Sequence, residues 1–278
     1  MSRAGNISAL VCLDLDGTFL NRAGQVSERN RAALISCLDK GVAVCFVTGR
    51  PYCFTKSLAV SIDPRIGVVA GAGACYEWEG ELIEHPLPEE ARREFVDCLE
   101  RSSAHAFFKG RRLFYTHDAY DRRFLYDWMN DRFPEEYRVQ SLTELTFEEL
   151  KGRTEKIHKI LVYEEDREGL DAFEERVSGI PGIQTSRYND ISFDVTSACT
   201  DKGRAIRDIR SRMGIPRERV LAVGDAPNDL PMFRDAGVCV AMGNAKEEIK
   251  KACGKITKSN EEDGVAQVLE HLETYLDG

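Results

Sequence analysis

Residues 11–20 read Val-Cys-Leu-Asp-Leu-Asp-Gly-Thr-Phe-Leu, an apolar run that ends in two aspartates one residue apart and then a glycine. A strand carries its side chains alternately to its two faces, so Asp14 and Asp16 are predicted to emerge on the same side at its carboxyl end. In an open α/β sheet, ligands bind at that end of the strands. Two like charges this close are costly unless a cation or a shared proton relieves them. The stretch therefore predicts a divalent metal, a phosphate or acid–base chemistry.

The size and charge of the chain narrow the class of protein. Its 278 residues are enough for one large domain or two modest ones, and 42% hydrophobic with 31% charged residues is typical of a globular protein. A net charge of −9 disfavours a general nucleic-acid binder. No stretch approaches the ~20 consecutive apolar residues of a membrane span. The polar residues 1–6 lead into a predicted strand and not into a signal peptide. We expect a cytoplasmic protein without nucleic-acid or membrane partners.

Nine cysteines invite a metal or a disulfide interpretation, but their number is odd and no two are spaced as Cys-x-x-Cys. Several, including Cys12, Cys45 and Cys239, lie inside apolar runs, where a thiol behaves as a small hydrophobic group. We therefore expect reduced, buried cysteines. The five histidines are scattered along the chain, and His158, beside a predicted strand, is interpreted as structural.

Apolar strands alternate with amphipathic helices at both ends of the chain. The predicted strands there are residues 7–13, 42–47, 66–70, 220–223 and 238–242, and the predicted helices are 27–40, 203–213, 231–236, 247–252 and 265–276. Nearly all-apolar strands that alternate with helices indicate a parallel sheet covered on both faces.

The middle of the chain is richer in charged and aromatic residues. Residues 156–163 and 191–195 are predicted strands with one wetter face, typical of an antiparallel sheet, and 170–177 is a predicted helix. The simplest architecture is an α/β protein with a Rossmann-like parallel-sheet core. Residues 1–84 and 196–278 would form that core, and residues 85–195 an inserted α+β domain.

The Asp-x-Asp-Gly sequence also occurs in calcium-binding loops. A loop that began at Asp14 would need glycine at its sixth position and glutamate at its twelfth. Those positions hold Phe19 and Gln25, so the calcium interpretation fails.

A second polar cluster, with Asp225, Asn228 and Asp229, follows the predicted strand 220–223. By itself, an aspartate there is as well explained as a helix cap or a turn residue. Together with Asp14 and Asp16, it brings three or four carboxylates to one sheet edge, which favours Mg²⁺ with oxygen ligands.

Two further segments offer groups to an anion. Thr48 and Gly49 close the strand 42–47 and provide a hydroxyl and an unhindered backbone N–H, although such a pair is more often only a turn. Lys202 lies near a predicted helix start, where it could neutralise a phosphate with the help of the helix dipole. The alternative is that Lys202 is a solvated surface charge.

The order of these segments is more specific than any one of them. Asp-Leu-Asp-Gly-Thr, Val-Thr-Gly-Arg, Asp-Lys-Gly and Gly-Asp-Ala-Pro-Asn-Asp resemble the four motifs of the haloacid dehalogenase (HAD) superfamily of phosphohydrolases. The split core and the insertion resemble the Cof-type branch with a type IIB cap, across essentially the whole chain. The resemblance implies a Mg²⁺-dependent phosphatase that hydrolyses a small phosphorylated metabolite, a sugar phosphate, through an aspartyl-phosphate.

The resemblance also implies a role for each motif residue. Asp14 would be the nucleophile, and Asp16 would protonate the leaving oxygen and then activate water. Mg²⁺ would be held by Asp14, the backbone carbonyl of Asp16, and Asp225. The groups implied to bind or support the phosphate are Thr48, Gly49, Lys202 and Asn228, with Asp229 orienting Lys202 or a metal-bound water.

Two segments concern specificity. Members of this branch often carry Asn-Gly-Ala after the third strand, whereas residues 70–74 read Ala-Gly-Ala-Gly-Ala and lack the amide. Arg187 and Asn189 precede the last predicted strand of the insertion and are candidate substrate contacts, with solvated loop residues as the alternative.

Two alternative functions stay open. They are a phosphomutase of the phosphomannomutase type and a non-catalytic phosphometabolite-binding protein. The sequence leaves the substrate and the oligomeric state open.

Overall fold

The computed structural model describes residues 7–277, which divide into two compact units. The first unit consists of residues 7–50, 58–83 and 201–277, and the second consists of residues 51–57 and 84–200. Residues 51–57, which lie at the start of a helix, therefore belong to the second unit. Nothing in the sequence separates them from the rest of that helix. The role of the insertion as a substrate-specificity cap stays a prediction.

The strands and helices follow one another as the alternating pattern predicts at both ends of the chain. The strands are β1 (Ala9–Leu13), β2 (Val42–Val47), β3 (Gly67–Ala70), β4 (Cys75–Trp78), β5 (Glu81–Glu84), β6 (His105–Gly110), β7 (Leu113–Thr116), β8 (Gln140–Leu142), β9 (Ile157–Tyr163), β10 (Ile183–Asn189), β11 (Ser192–Ser197), β12 (Val220–Gly224), β13 (Val238–Ala241) and β14 (Lys255–Ile256). The α-helices are α1 (Glu28–Asp39), α2 (Tyr52–Ile62), α3 (Glu89–Leu99), α4 (Phe147–Gly152), α5 (Arg167–Ser178), α6 (Lys202–Met213), α7 (Leu230–Asp235), α8 (Glu247–Cys253), α9 (Gly264–Glu270) and α10 (Leu272–Leu276).

An eight-stranded sheet with the order β14-β13-β12-β1-β2-β3-β4-β5 forms the core. Neighbours from β14 to β3 pair in parallel, and β4 turns back antiparallel to β3. Strand β1 is completely buried, as its apolar sequence predicts for a strand covered on both faces. The α/β class with a parallel-sheet core is confirmed. The antiparallel strand β4 was not predicted.

The predicted helices are confirmed except at the carboxyl end, whereas α3 and α4 were not predicted. The Ser27 hydroxyl accepts a hydrogen bond from the Asn30 N–H at 3.0 Å and caps α1, as predicted. Residues 265–276 were expected to form one helix, but the backbone leaves helical geometry at His271, where φ is −117° and ψ is 25°. The segment therefore forms two short helices, α9 and α10.

The second unit is built on a six-stranded sheet with the order β10-β11-β9-β6-β7-β8. Its strands pair antiparallel except for β7 and β8, which pair in parallel. Helices α3 and α5 cover the sheet, and the ring of Phe95 packs edge-on against Phe108 and Phe173. The aromatic residues of this segment therefore belong largely to its hydrophobic core.

No helix within residues 7–277 is both long and apolar enough to cross a membrane.

Candidate active site

Three of the predicted site residues follow neighbouring strands of the first unit and lie at one edge of the sheet. Asp14 follows β1, Thr48 follows β2 and Asp225 follows β12, and these strands are adjacent in the order β12-β1-β2. The Asp14 N–H donates to the Val223 carbonyl at 3.0 Å, and the Thr48 N–H donates to the Val69 carbonyl at 2.9 Å. The backbones of Asp14 and Thr48 are therefore fixed by continuation of the sheet's own hydrogen bonding.

Lys202 is the buried cation of this edge. It is 1% exposed, and its Nζ lies 2.6 Å from Asp14 Oδ1 and 2.6 Å from Asp229 Oδ1. Asp201 caps α6 by accepting the Arg204 N–H, which sets Lys202 at the first position of the helix. Burial acts to lower the pKa of Lys202, but the two carboxylates outweigh it and raise that pKa above its usual range. The alternative of a solvated surface charge is wrong.

Asp229 is completely buried and both of its oxygens are engaged. Besides the contact with Lys202, its Oδ2 accepts the N–H groups of Asp225 at 3.0 Å and Ala226 at 3.1 Å. A Cβ on Gly224 would lie 2.5 Å from that oxygen, so the strand end must be glycine. Asp229 therefore both shapes the turn after β12 and orients the Lys202 ammonium.

Three carboxylates share this site with one lysine. One oxygen from each of Asp14, Asp225 and Asp229 lies within 4.8 Å of the others. Burial raises the pKa of Asp14 well above its usual range, and burial likewise raises the pKa of Asp225 to about 6. Both shifts reflect the cost of holding negative charge away from water with a single cation nearby.

The donor set fits a hard divalent cation. Carboxylate oxygens are the ligands that Mg²⁺ prefers, and Asp14 and Asp225 each use only one oxygen in the hydrogen bonds of the described residues, to Lys202 and to Thr18 respectively. The Oδ1 atom of Asn228 is buried with no hydrogen-bond partner within residues 7–277. Gly17 completes the arrangement, because a Cβ there would lie 2.4 Å from Asp225 Oδ2.

Asp16 is placed differently from its sequence neighbour. Because β1 ends at Leu13, strand alternation does not set the direction of Asp16, which lies in the turn that follows and is 46% exposed. Its carboxylate accepts a bidentate contact from one edge of the Arg50 guanidinium, with Arg50 Nε donating to Oδ2 at 2.7 Å and Nη2 donating to Oδ1. The structure thus brings three of the four carboxylates into one tight cluster, and Asp16 is not a member of it. The prediction that strand alternation places Asp14 and Asp16 on the same side was wrong, because β1 ends before either residue.

Arg50 is the last residue of the Val-Thr-Gly-Arg motif, and the sequence alone assigned it no role. Its position two residues after Thr48, in the turn at the end of the same strand, could have identified it as a site residue. Thr48 is buried, and its Oγ1 accepts the Arg50 N–H at 3.1 Å, which folds the turn around Gly49. The carbonyl of Thr48 accepts the Ala72 N–H at 2.9 Å, so the segment after β3 supports this turn through its backbone.

Asn244 is a second residue that sequence reasoning missed. Its Nδ2 donates to the Gly17 carbonyl at 2.8 Å, and its Oδ1 accepts the Asn260 N–H at 3.1 Å. Asn244 therefore links the turn after β1 to the segment before α9. No sequence pattern identified it, since an asparagine after a strand is ordinary turn chemistry.

Arg187 and Asn189 lie in the second unit, on strand β10 and not in a loop as expected. Arg187 makes ion pairs with Asp171 at 2.5 Å and with Glu174, both on α5. Asn189 accepts hydrogen bonds from the Ile191 N–H at 3.0 Å and the Ser192 hydroxyl at 2.9 Å. Both side chains thus have local structural partners, and their contact with a substrate stays a prediction.

Comparisons with known proteins agree with these motifs. The sequence profile of the haloacid dehalogenase-like hydrolases matches residues 11–269. Phosphatase YwpJ of Bacillus subtilis is 30% identical over 95% of this chain and 99% of the relative. The 5-amino-6-(5-phospho-D-ribitylamino)uracil phosphatase YwtE of B. subtilis is 28% identical over 94% and 97%. A solved haloacid dehalogenase-like hydrolase from B. subtilis superimposes with a TM-score of 0.82 at 28% identity, covering 95% of this chain and 99% of the other.

Proposed function

The chain belongs to the haloacid dehalogenase-like hydrolase family and is a phosphatase of its Cof-type branch, and on that premise we propose that it hydrolyses a small sugar-type phosphomonoester through an aspartyl-phosphate at Asp14. The observation that carries the proposal is the buried contact between Asp14 Oδ1 and Lys202 Nζ at 2.6 Å. It fixes one carboxylate oxygen and leaves the other for attack on phosphorus.

Lys202 and Thr48 are proposed to receive the phosphoryl group. Lys202 is held in place by Asp229, so its charge is preorganised and needs no rearrangement during reaction. The Thr48 hydroxyl accepts the Arg50 N–H, and its own proton stays available for a phosphoryl oxygen. Together with the Gly49 N–H, these groups offer positive charge and hydrogen bonds where the phosphoryl oxygens gather charge.

Asp16 is the proposed acid and base. Its exposure, in contrast to the burial of Asp14, suits a group that exchanges protons with a leaving alcohol and with water. The bidentate Arg50 contact orients the carboxylate and restricts its rotamers. The two aspartates thus have separate environments and separate proposed tasks.

Asp14, Asp225 and the backbone carbonyl of Asp16 are the proposed Mg²⁺ ligands, and the proposal is supported by the cluster of carboxylate oxygens that Asp14, Asp225 and Asp229 form. The bound ion would supply electrostatic shielding between an anionic nucleophile and an anionic phosphate. Asp229 has both oxygens engaged, so it is proposed to support Lys202 and the turn instead of the metal.

The substrate class is proposed from the relatives. Three of them carry the printed name 5-amino-6-(5-phospho-D-ribitylamino)uracil phosphatase, which describes a phosphate ester on a sugar alcohol. Sugar phosphates and phosphorylated sugar alcohols share a primary phosphomonoester with neighbouring hydroxyls. We extend only this shared chemistry to the present chain.

The proposal is tested by a screen of phosphorylated metabolites for phosphate release in Mg²⁺. Sugar and sugar-alcohol phosphates are expected to give the highest kcat/KM, and Asp14→Asn is expected to abolish turnover with a native circular dichroism spectrum. Arg93→Lys, at an exposed residue of the second unit that pairs with Glu89 on its own helix, serves as the control and should keep the wild-type kcat/KM. Conversion of hexose 1-phosphates into isomers without phosphate release would instead identify a mutase, and tight binding without turnover would identify a binding protein.

A further inference from the structure

Two histidines and an aspartate, none of them part of the four motifs, meet at one end of the sheet in the second unit. His105 begins β6, while His117 and Asp118 directly follow β7. Strands β6 and β7 pair antiparallel with Phe107 opposite Thr116, and two more steps of that register place His105 opposite Asp118. One nitrogen of each ring and one carboxylate oxygen lie within 4.8 Å of one another. The hairpin of β6 and β7 thus brings His105 close to His117 and Asp118, although they are well separated in the sequence.

The distances in this group suit a small transition-metal ion. His117 Nε2 lies 3.5 Å from Asp118 Oδ1, and His105 Nδ1 lies 2.7 Å from the same oxygen. Tetrahedral Zn²⁺, bound at about 2.0–2.1 Å, separates its ligand atoms by about 3.3 Å. The first distance already fits, and the second needs to widen by about 0.6 Å when a metal replaces the shared proton.

A neighbouring residue holds the carboxylate in place. Thr116 Oγ1 donates to Asp118 Oδ2 at 3.1 Å, and the Asp118 N–H donates to Thr116 Oγ1 at 3.1 Å. Hydrogen bonds of this kind orient the ligands of protein metal sites. The Oδ1 atom is thereby turned towards the two imidazole rings.

An independent observation comes from the cavity beside this group. A cavity of about 540 Å³ is lined by His105, Asp118 and Glu164. Glu164 is 8% exposed, and its Oε2 is buried with no hydrogen-bond partner among the described residues, while Oε1 accepts a backbone N–H at 3.1 Å. A buried carboxylate oxygen without a donor is costly unless a cation or an ordered water meets it. The one arginine of the lining, Arg123, is already paired with Asp121 at 2.7 Å, so the cavity carries excess negative charge.

The chemistry of the donor atoms selects the kind of ion. Imidazole nitrogen suits Zn²⁺, Cu²⁺ and Ni²⁺, whereas Mg²⁺ prefers oxygen ligands only. The group therefore discriminates against the ion that the first unit is proposed to use.

We propose that His105, His117 and Asp118 form a separate binding site for a divalent first-row transition ion of the Zn²⁺ class, with water completing the coordination. The ion ties the segment that follows β7 to the first residue of β6. The site is independent of the phosphatase chemistry and of Asp14.

The test is a Zn²⁺ titration of metal-stripped, full-length protein in excess Mg²⁺, in an Asp225→Asn background that removes one of the three clustered carboxylates of the first unit. One Zn²⁺ per chain is expected. His105→Ala and His117→Ala are each expected to weaken binding at least about tenfold. His271→Ala, which removes an exposed histidine of the first unit, is the matched control and should bind as the background does.

Co²⁺ supplies a second measurement, because bound tetrahedral Co²⁺ absorbs strongly in the visible range. The band is expected in the background protein and in His271→Ala, and it should be lost in His105→Ala. The melting temperature without metal should be equal in all these proteins, which separates lost binding from lost folding. Unchanged Zn²⁺ affinity in both histidine variants, or no Zn²⁺ bound by the background protein, would overturn the proposal.

Discussion

Gly17→Ala probes the turn that follows the proposed nucleophile Asp14 and lies against Asp225, a proposed metal ligand. Gly17 has φ of +79°, in the left-handed region, and a Cβ there would lie 2.4 Å from Asp225 Oδ2. Alanine in this conformation costs about 1–2 kcal/mol of backbone strain. The Asp225 carboxylate must also move, which breaks its 2.9 Å hydrogen bond from Thr18 Oγ1. A hydrogen bond to a charged group contributes about 1.5–3 kcal/mol, so the total expected loss is about 2.5–5 kcal/mol.

Gly24→Ala is the matched control. Gly24 has φ of +70°, but a Cβ there would meet nothing within 4 Å. It should therefore lose only the strain energy of about 1–2 kcal/mol. Urea unfolding in the absence of Mg²⁺ measures both losses. Because Asp225 is a proposed Mg²⁺ ligand, Gly17→Ala should also raise the Mg²⁺ concentration needed for half-maximal activity, whereas Gly24→Ala should not. Equal unfolding losses and equal Mg²⁺ requirements in the two variants would refute this reasoning.

Three further predictions concern single contacts. Lys202→Met should destabilise the Mg²⁺-free protein by about 3–5 kcal/mol in urea unfolding, because it leaves buried carboxylates unpaired, and should lower kcat at least about 100-fold. Ala72→Asn should raise the free energy of unfolding by about 0.5–1 kcal/mol, because φ at Ala72 is 56° and asparagine tolerates that region better than alanine. The hydrogen bond with His158 lowers the pKa of Glu84 to about 2. Glu84→Gln should therefore cost about 1–2 kcal/mol at neutral pH, and this loss should shrink as the pH falls from about 4.5 towards 2.

Buried parallel strands were the most predictable part of the fold. Strand β2 has the predicted bounds, 42–47, because a continuous apolar run between a glycine and a threonine leaves little choice. Strands β6, β7 and β10 were not predicted. Their stability comes from cross-strand pairs such as Phe108 opposite Tyr115, and such pairs depend on register that local sequence does not contain.

The sequence was enough to group part of the candidate site, but not to predict the environment of each residue. Strand ends at one sheet edge follow from the alternating pattern, so Asp14, Thr48 and Asp225 could be grouped from sequence. The burial of Lys202 could not, because a lysine at a helix start is usually exposed and only its two carboxylate partners reverse that preference. The pairing of Arg50 with Asp16 depends on where β1 ends, and the exact end of a strand is difficult to predict from a sequence.

If Asp14 is the nucleophile, it becomes phosphorylated during turnover. Rapid quenching of the enzyme with excess substrate, followed by borohydride reduction and peptide mass spectrometry, measures this directly because borohydride converts an aspartyl-phosphate into homoserine. Homoserine is expected at position 14 in the wild-type protein and in Asp16→Asn, and none without substrate. Phosphate release at the normal rate with unmodified Asp14, or with homoserine at another aspartate, would contradict it.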